Sequence, residues 1–100
     1  MEVIISKEKD QVTAAFVGRL DTPASLEIAP SIEELKADAK GTIILDCSQM
    51  TYISSSGLRI FLSLRKAAAE KGGRVIVRNI SNDIRSVFMM TGFLNLFEIQ

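Results

Sequence analysis

The sequence predicts an α/β fold: one mixed, mainly parallel β-sheet with helices packed on it, in the order β-β-α-β-α-β-α. Three observations carry this expectation. Short runs rich in β-branched residues alternate with longer stretches of helical period. Glycine follows each helical stretch, at Gly41, Gly72-Gly73 and Gly92. Strands that alternate with helices must then run parallel, joined by right-handed crossovers. One hundred residues supply one hydrophobic core and not two, so residues 1–100 are expected to form a single domain.

In chain order, Val3–Ser6 and Val12–Val17 read as two strands joined by the charged Lys7-Glu8-Lys9-Asp10. Thr22 is then placed as the cap of a first helix, with Pro23 at its first position, where a missing N–H costs nothing. Ala24, Ile28, Ile32, Leu35 and Ala39 keep helical spacing, but Pro30 falls among them and predicts a kink or two short helices. A kink would make Pro30→Ala stabilising by up to ~3 kcal/mol. The apolar run from Ile43 suits a strand buried on both faces. After Gly57 the period becomes helical, with Leu58, Phe61, Leu62, Ala68 and Ala69 opposite Arg59, Ser63, Lys66 and Glu70. Arg74–Ile80 reads as another strand, and Ser81-Asn82-Asp83 caps a last helix through Thr91 with Ile84, Val87 and Phe88 buried. The tail Phe93–Ile99 is a short edge strand or a docked extended segment.

Composition excludes several functions. Twelve basic residues balance twelve acidic ones, so nothing favours direct binding of nucleic acid or of an anionic membrane surface. There is no histidine, which removes Ser-His-Asp and Cys-His catalysis and imidazole metal ligation. The single cysteine, Cys47, lies in an apolar strand and reads as a small core residue, consistent with a reducing cytoplasm. No stretch reaches the ~20 apolar residues of a membrane span, and no basic segment with a long apolar run opens the chain.

Parallel sheets gather their ligand-binding loops at the C-terminal ends of the strands. That edge is expected to collect Asp21, Asp46, the Ser54-Ser55-Ser56-Gly57 loop and Ser81–Asp83. Two carboxylates there could hold a hard cation, although Asp after a strand more often bonds its own backbone. The serine run could serve as nucleophile, phosphate cradle or phosphoryl acceptor. The first lacks a base, and the second lacks a glycine-rich loop with a following lysine. Serine capping of a helix, with Gly57 allowing a tight turn, accounts for the same residues without any special role.

Five segments together resemble the STAS family, the bacterial anti-sigma-factor antagonists. They are Gly18-Arg19-Leu20-Asp21, Ile44-Leu45-Asp46, Tyr52–Leu58, Gly72-Gly73 and Val87–Phe93, in order along the whole chain. The resemblance implies a sheet covered by helices, no catalysis, no cofactor, and phosphorylation by a partner kinase of the serine just before the loop glycine. That serine maps to Ser56, with Ser55 and Ser54 as alternatives. The family often carries aspartate where this chain has Ser54, and an acidic residue where it has Met89.

The implied partners are an anti-sigma factor with serine kinase activity and a serine phosphatase. The alternative is an accessory subunit of a membrane transport complex, because STAS domains also occur beside anion and lipid transporters. Partner contacts are expected from Asp21, Ser54, Ser55, Ser56, Gly57, Leu58 and Arg59. Met89 is expected in the core, where a flexible thioether fills gaps, with a partner contact as the other reading.

Overall fold

The computed structural model describes residues 1–100. Strands β1 (Glu2–Glu8) and β2 (Gln11–Leu20) form a hairpin in which Glu8 faces Gln11 across a Lys9-Asp10 turn. Helices α1 (Thr22–Glu27) and α2 (Ala29–Ala37) follow, then β3 (Thr42–Ile53), α3 (Ser55–Lys71), β4 (Arg74–Arg78) and α4 (Asn82–Thr91). A 3-10 turn at Phe93–Asn95 leads to the two-residue strand β5 (Glu98–Ile99). The sheet order is β1-β2-β3-β4-β5, antiparallel in the first pair and parallel in the rest. This is the mixed, mainly parallel α/β fold that the sequence predicts, and the tail does supply an edge strand.

The register explains why one face of the sheet carries the helices. Val12, Ile43 and Val75 stand abreast, as do Ala14, Leu45, Val77 and Ile99. These positions share one face, because side chains alternate along a strand. All but the partly buried Ile99 join the buried apolar side chains of every helix in one cluster of 23 residues, with Ile99 packed against it. Ile44 and Ile76, one step out of phase, are also buried yet stand outside that cluster. The other face therefore has no helix, and β3 is shielded there by its neighbouring strands instead of by a second layer. All five phenylalanines join the core side. Phe61 of α3 is at their centre, with ring centroids 5.4 Å from Phe16, 6.2 Å from Phe88 and 6.4 Å from Phe97.

Several local expectations are corrected. The cap of α1 is Asp21, not Thr22: its carboxylate accepts from the Ala24 N–H at 3.0 Å, leaving Thr22 and Pro23 inside the first turn. The helical segment around Pro30 is two short helices, the second of the two expected arrangements; what is corrected is the kink, because Pro30 sits in the first turn of α2, where it displaces no hydrogen bond. The expected gain from Pro30→Ala is therefore reversed. The substitution should lower stability by about 0.4–1 kcal/mol by loosening the unfolded chain, seen as a melting temperature lower by a few degrees. A higher melting temperature would show that Pro30 interrupts a helix after all.

Gly41 does not end a helix, because α2 stops at Ala37. A Cβ on Gly41 would lie 2.4 Å from the Asp10 carbonyl oxygen, and one on Gly73 would lie 2.0 Å from that of Ala39. Both glycines are there for space. Gly72 and Gly92 are helix stops as expected, each left-handed at φ 79°. On α3, Leu64 is fully buried where Ala69 was expected, and Leu62 is only partly covered.

Candidate functional site

The serine run sits where the longest pair of strands ends. Leu20 closes β2 opposite Ile53 of β3, and the Leu20 carbonyl accepts from the Ser54 N–H at 2.9 Å. Only Ser54 separates β3 from α3, so the helix begins at Ser55, two residues before Gly57, and not after it. Ser54 is extended, at φ −90° and ψ 173°, and its Oγ accepts from the Gly57 N–H at 3.2 Å. Its hydroxyl is thus committed to capping. Ser55 is exposed in the first turn.

Gly57 is buried within the helix and makes no turn. A Cβ there would come within 2.7 Å of Leu20 Cγ and 2.9 Å of Ile53 Cγ1, so glycine lets the start of α3 lie against both strand ends. Gly57→Ala should lose about 1–3 kcal/mol to overpacking, offset by roughly 1 kcal/mol of helix propensity. Chemical denaturation checks this, and a raised midpoint, the helix-propensity gain alone, would mean that Leu20 and Ile53 yield freely.

Ser56 occupies a distinct position. Its Oγ is 3.3 Å from Thr22 Oγ1 at the head of α1 and accepts from Arg59 Nη2 at 3.3 Å. Neither neighbour is a base, and the guanidinium favours negative charge on that oxygen. Beyond it, Arg19 lies over the Tyr52 ring at 4.3 Å, holding the exposed ends of β2 and β3 together. Thr22 lies 34 residues from Ser56, so nothing in the local sequence announces the contact.

The remaining expected site residues divide. Asp21 adjoins the site, with its carboxylate used as the α1 cap. Arg59 is exposed and within reach of Ser56. Leu58 is only 6% exposed and belongs to the core, so it offers no contact surface. Gly57 is likewise buried. Met89 is 62% exposed, which overturns its expected core position and leaves it available to a partner beside the still more exposed Met90.

Asp46 is not at this edge at all. It stands within β3, level with Ala15, which is five positions before Leu20 at the end of β2 and so about 17 Å back along the sheet. The edge shared by Asp21 and Asp46 does not exist, and with it goes the two-carboxylate cation site. Asp46 instead performs the turn chemistry that was the other reading. Burial pushes its carboxyl up, but the Ser48 N–H at 3.0 Å, the Asn79 amide at 3.3 Å and the charge of Arg78 outweigh burial, holding it below the ordinary 3.8.

A folded value below the unfolded one means that the stabilisation is complete above the unfolded value and is lost as pH falls through the folded one. Asp46→Asn should therefore flatten the acid limb of the stability profile below about pH 4, measured by urea unfolding at several pH values. An unchanged limb would remove Asp46 from that role. Beside it, burial and then the Asp46 charge push the Cys47 thiol up to about 12, so it remains protonated in the core.

The model of the STAS domain matches residues 4–100. The chain belongs to the STAS domain family. A Bordetella bronchiseptica protein named as a candidate anti-sigma factor antagonist, BtrV, is 23% identical over 99% of this chain and 85% of its own. The structure of the anti-sigma factor antagonist SpoIIAA in its unphosphorylated form superposes with a TM-score of 0.75 at 22% identity, covering 99% of this STAS chain and 87% of that one. The phosphorylated form of SpoIIAA, a Bacillus cell fate determinant, gives 0.75 at 23% identity, covering 99% and 91%. These solved structures share the STAS fold with this chain. No helix of the protein is long and apolar enough to cross a membrane.

Proposed function

We propose that residues 1–100 act as one STAS domain and form a binding switch. The unmodified protein binds an anti-sigma factor that carries serine kinase activity, which frees a sigma factor. Phosphorylation of Ser56 breaks that complex, and a serine phosphatase restores it. The observation that carries this reading is the placement of Ser56. Its hydroxyl lies in the first turn of α3, beside a guanidinium and a second hydroxyl and without a base, which suits an acceptor more than a nucleophile.

The family membership and the relative named as a candidate antagonist support it. So do the two forms of SpoIIAA, which are described as phosphorylated and unphosphorylated and have one fold between them. Ser54 is less suited because its Oγ already caps α3, and Ser55 is exposed without a neighbouring cation in its hydrogen bonds. Asp21, Arg59 and Met89 are the surface residues of the proposed contact, with the backbone of Ser54 to Leu58 giving the site its shape. The protein needs no cofactor for this role and performs no turnover of its own.

The test is incubation with the co-purifying kinase and ATP, followed by mass spectrometry of the tryptic peptides. Phosphate on Ser56 is expected. Phosphate confined to Ser54 or Ser55, or co-purification of a transporter ATPase in place of an anti-sigma factor, would overturn the proposal.

A further inference from the structure

Arg59 is one turn beyond Ser56 on α3, exposed, with its Nη2 already directed at Ser56 Oγ. It takes part in none of the chain's ion pairs, whose cations are Lys7, Lys36, Arg74 and the N-terminal ammonium. A cation without a carboxylate, aimed at a hydroxyl, is an incomplete pair. We propose that Arg59 is the counter-ion of phosphorylated Ser56 within the same chain, so that phosphorylation adds a dianion and also withdraws a guanidinium from the partner-binding surface. This rests on Ser56 being the acceptor.

The transfer itself is simple. The kinase moves the γ-phosphoryl group of ATP to Ser56 Oγ: the Oγ–P bond forms, the bond to the β–γ bridging oxygen breaks, ADP leaves, and the hydroxyl proton passes to a base of the kinase. The new phosphate has three further oxygens, and a residue three positions on along a helix is within reach of them. Arginine suits the task because its planar fork gives two parallel N–H donors, and Thr22 Oγ1 can donate a third bond from the α1 side.

The other charged or titratable groups near the site act differently. Asp21, beside Thr22, has its carboxylate on the Ala24 N–H and would repel the phosphate. Tyr52 ends β3 with Arg19 stacked on its ring. Unmodified, the site offers an acidic partner residue the Arg59 cation; modified, it offers a paired phosphate and no free guanidinium.

The experiment is phosphorus-31 NMR on chains with phosphoserine installed genetically at position 56, which needs no kinase. A failure here leaves the Ser56 acceptor assignment standing, whereas a failure of the mass-spectrometric test leaves this pairing intact as chemistry. An opposite charge nearby favours the dianion, so the second phosphate pKa should lie below its ordinary value of about 6. Arg59→Gln should raise it by about half a unit or more, and Arg59→Lys should retain part of the lowering. Phosphoserine at position 86, exposed on α4, should not respond to Arg59→Gln. Circular dichroism confirms that each variant is folded. Equal titration of the wild-type and Arg59→Gln chains, or an equal response at position 86, would overturn the proposal.

Discussion

Phe61→Ala should remove about 3–5 kcal/mol of stability, a large part of the 5–15 kcal/mol typical of a domain. At about 4–8 °C per kcal/mol, the melting temperature should fall by roughly 15 °C or more. Phe61 is fully buried and its ring contacts three others, from β2, α4 and the segment before β5. Truncation would leave a cavity bounded by elements too well tied to collapse into it. Phe61→Leu, which keeps most of the volume, should lose much less. Thermal and urea unfolding of both variants measure the difference, and a loss under about 1 kcal/mol for the alanine variant would mean that the core repacks around the gap.

Phosphorylation of Ser56 should weaken partner binding by about a thousandfold, or ~4 kcal/mol. A hydrated dianion, neutralised only in part by one guanidinium, replaces a neutral hydroxyl, and covering it with a partner that supplies no further cation leaves a desolvation cost of several kcal/mol. The fold should be unchanged, because the free N–H groups at the start of a 17-residue helix favour an anion. Ser56→Ala should bind the partner and resist release, while Ser56→Asp should fold normally and bind poorly. Calorimetry of the two variants against the partner decides the matter. Equal affinity of Ser56→Asp and the unmodified chain would refute local repulsion as the mechanism.

What the sequence made legible, and what it did not, follows from the range of the forces. Ser81 and Gly92 act on their own neighbours, and both perform the capping that their residue types imply. Asp21 and Thr22 are adjacent good caps, and Pro23 is tolerated at either of the first two helical positions, so local chemistry could not choose between them. Gly41, Gly57 and Gly73 are determined by atoms far away in sequence, namely the Asp10 and Ala39 carbonyls and the Leu20 side chain. No local pattern reports such distant crowding.

The length of β3 was hidden for the same reason. Ser48, Gln49, Thr51 and Tyr52 are exposed; Gln49 and Tyr52 are held in the strand by pairing to β2, and Ser48 and Thr51 fall at the irregularities of that ladder. Of the site, the serines and Arg59 were visible as a run on one turn, but the Thr22 contact and the distance of Asp46 depend on register.

That same register gives the protein two levels of cooperativity. Thr42–Asp46 of β3 is flanked by strands on both sides, whereas Gln49–Ile53 is paired to β2 alone, with one irregularity in the ladder before it and a second within it. A segment held along one edge can detach without dissolving the centre of the sheet. Amide protons of Gln49 to Ile53 should therefore exchange with solvent before those of Ile43 to Leu45, and Ser54 to Ser56 join that segment to α3. Ser56 is thus joined to the centre of the sheet by a segment of lower stability on one side and by the core-packed α3 on the other.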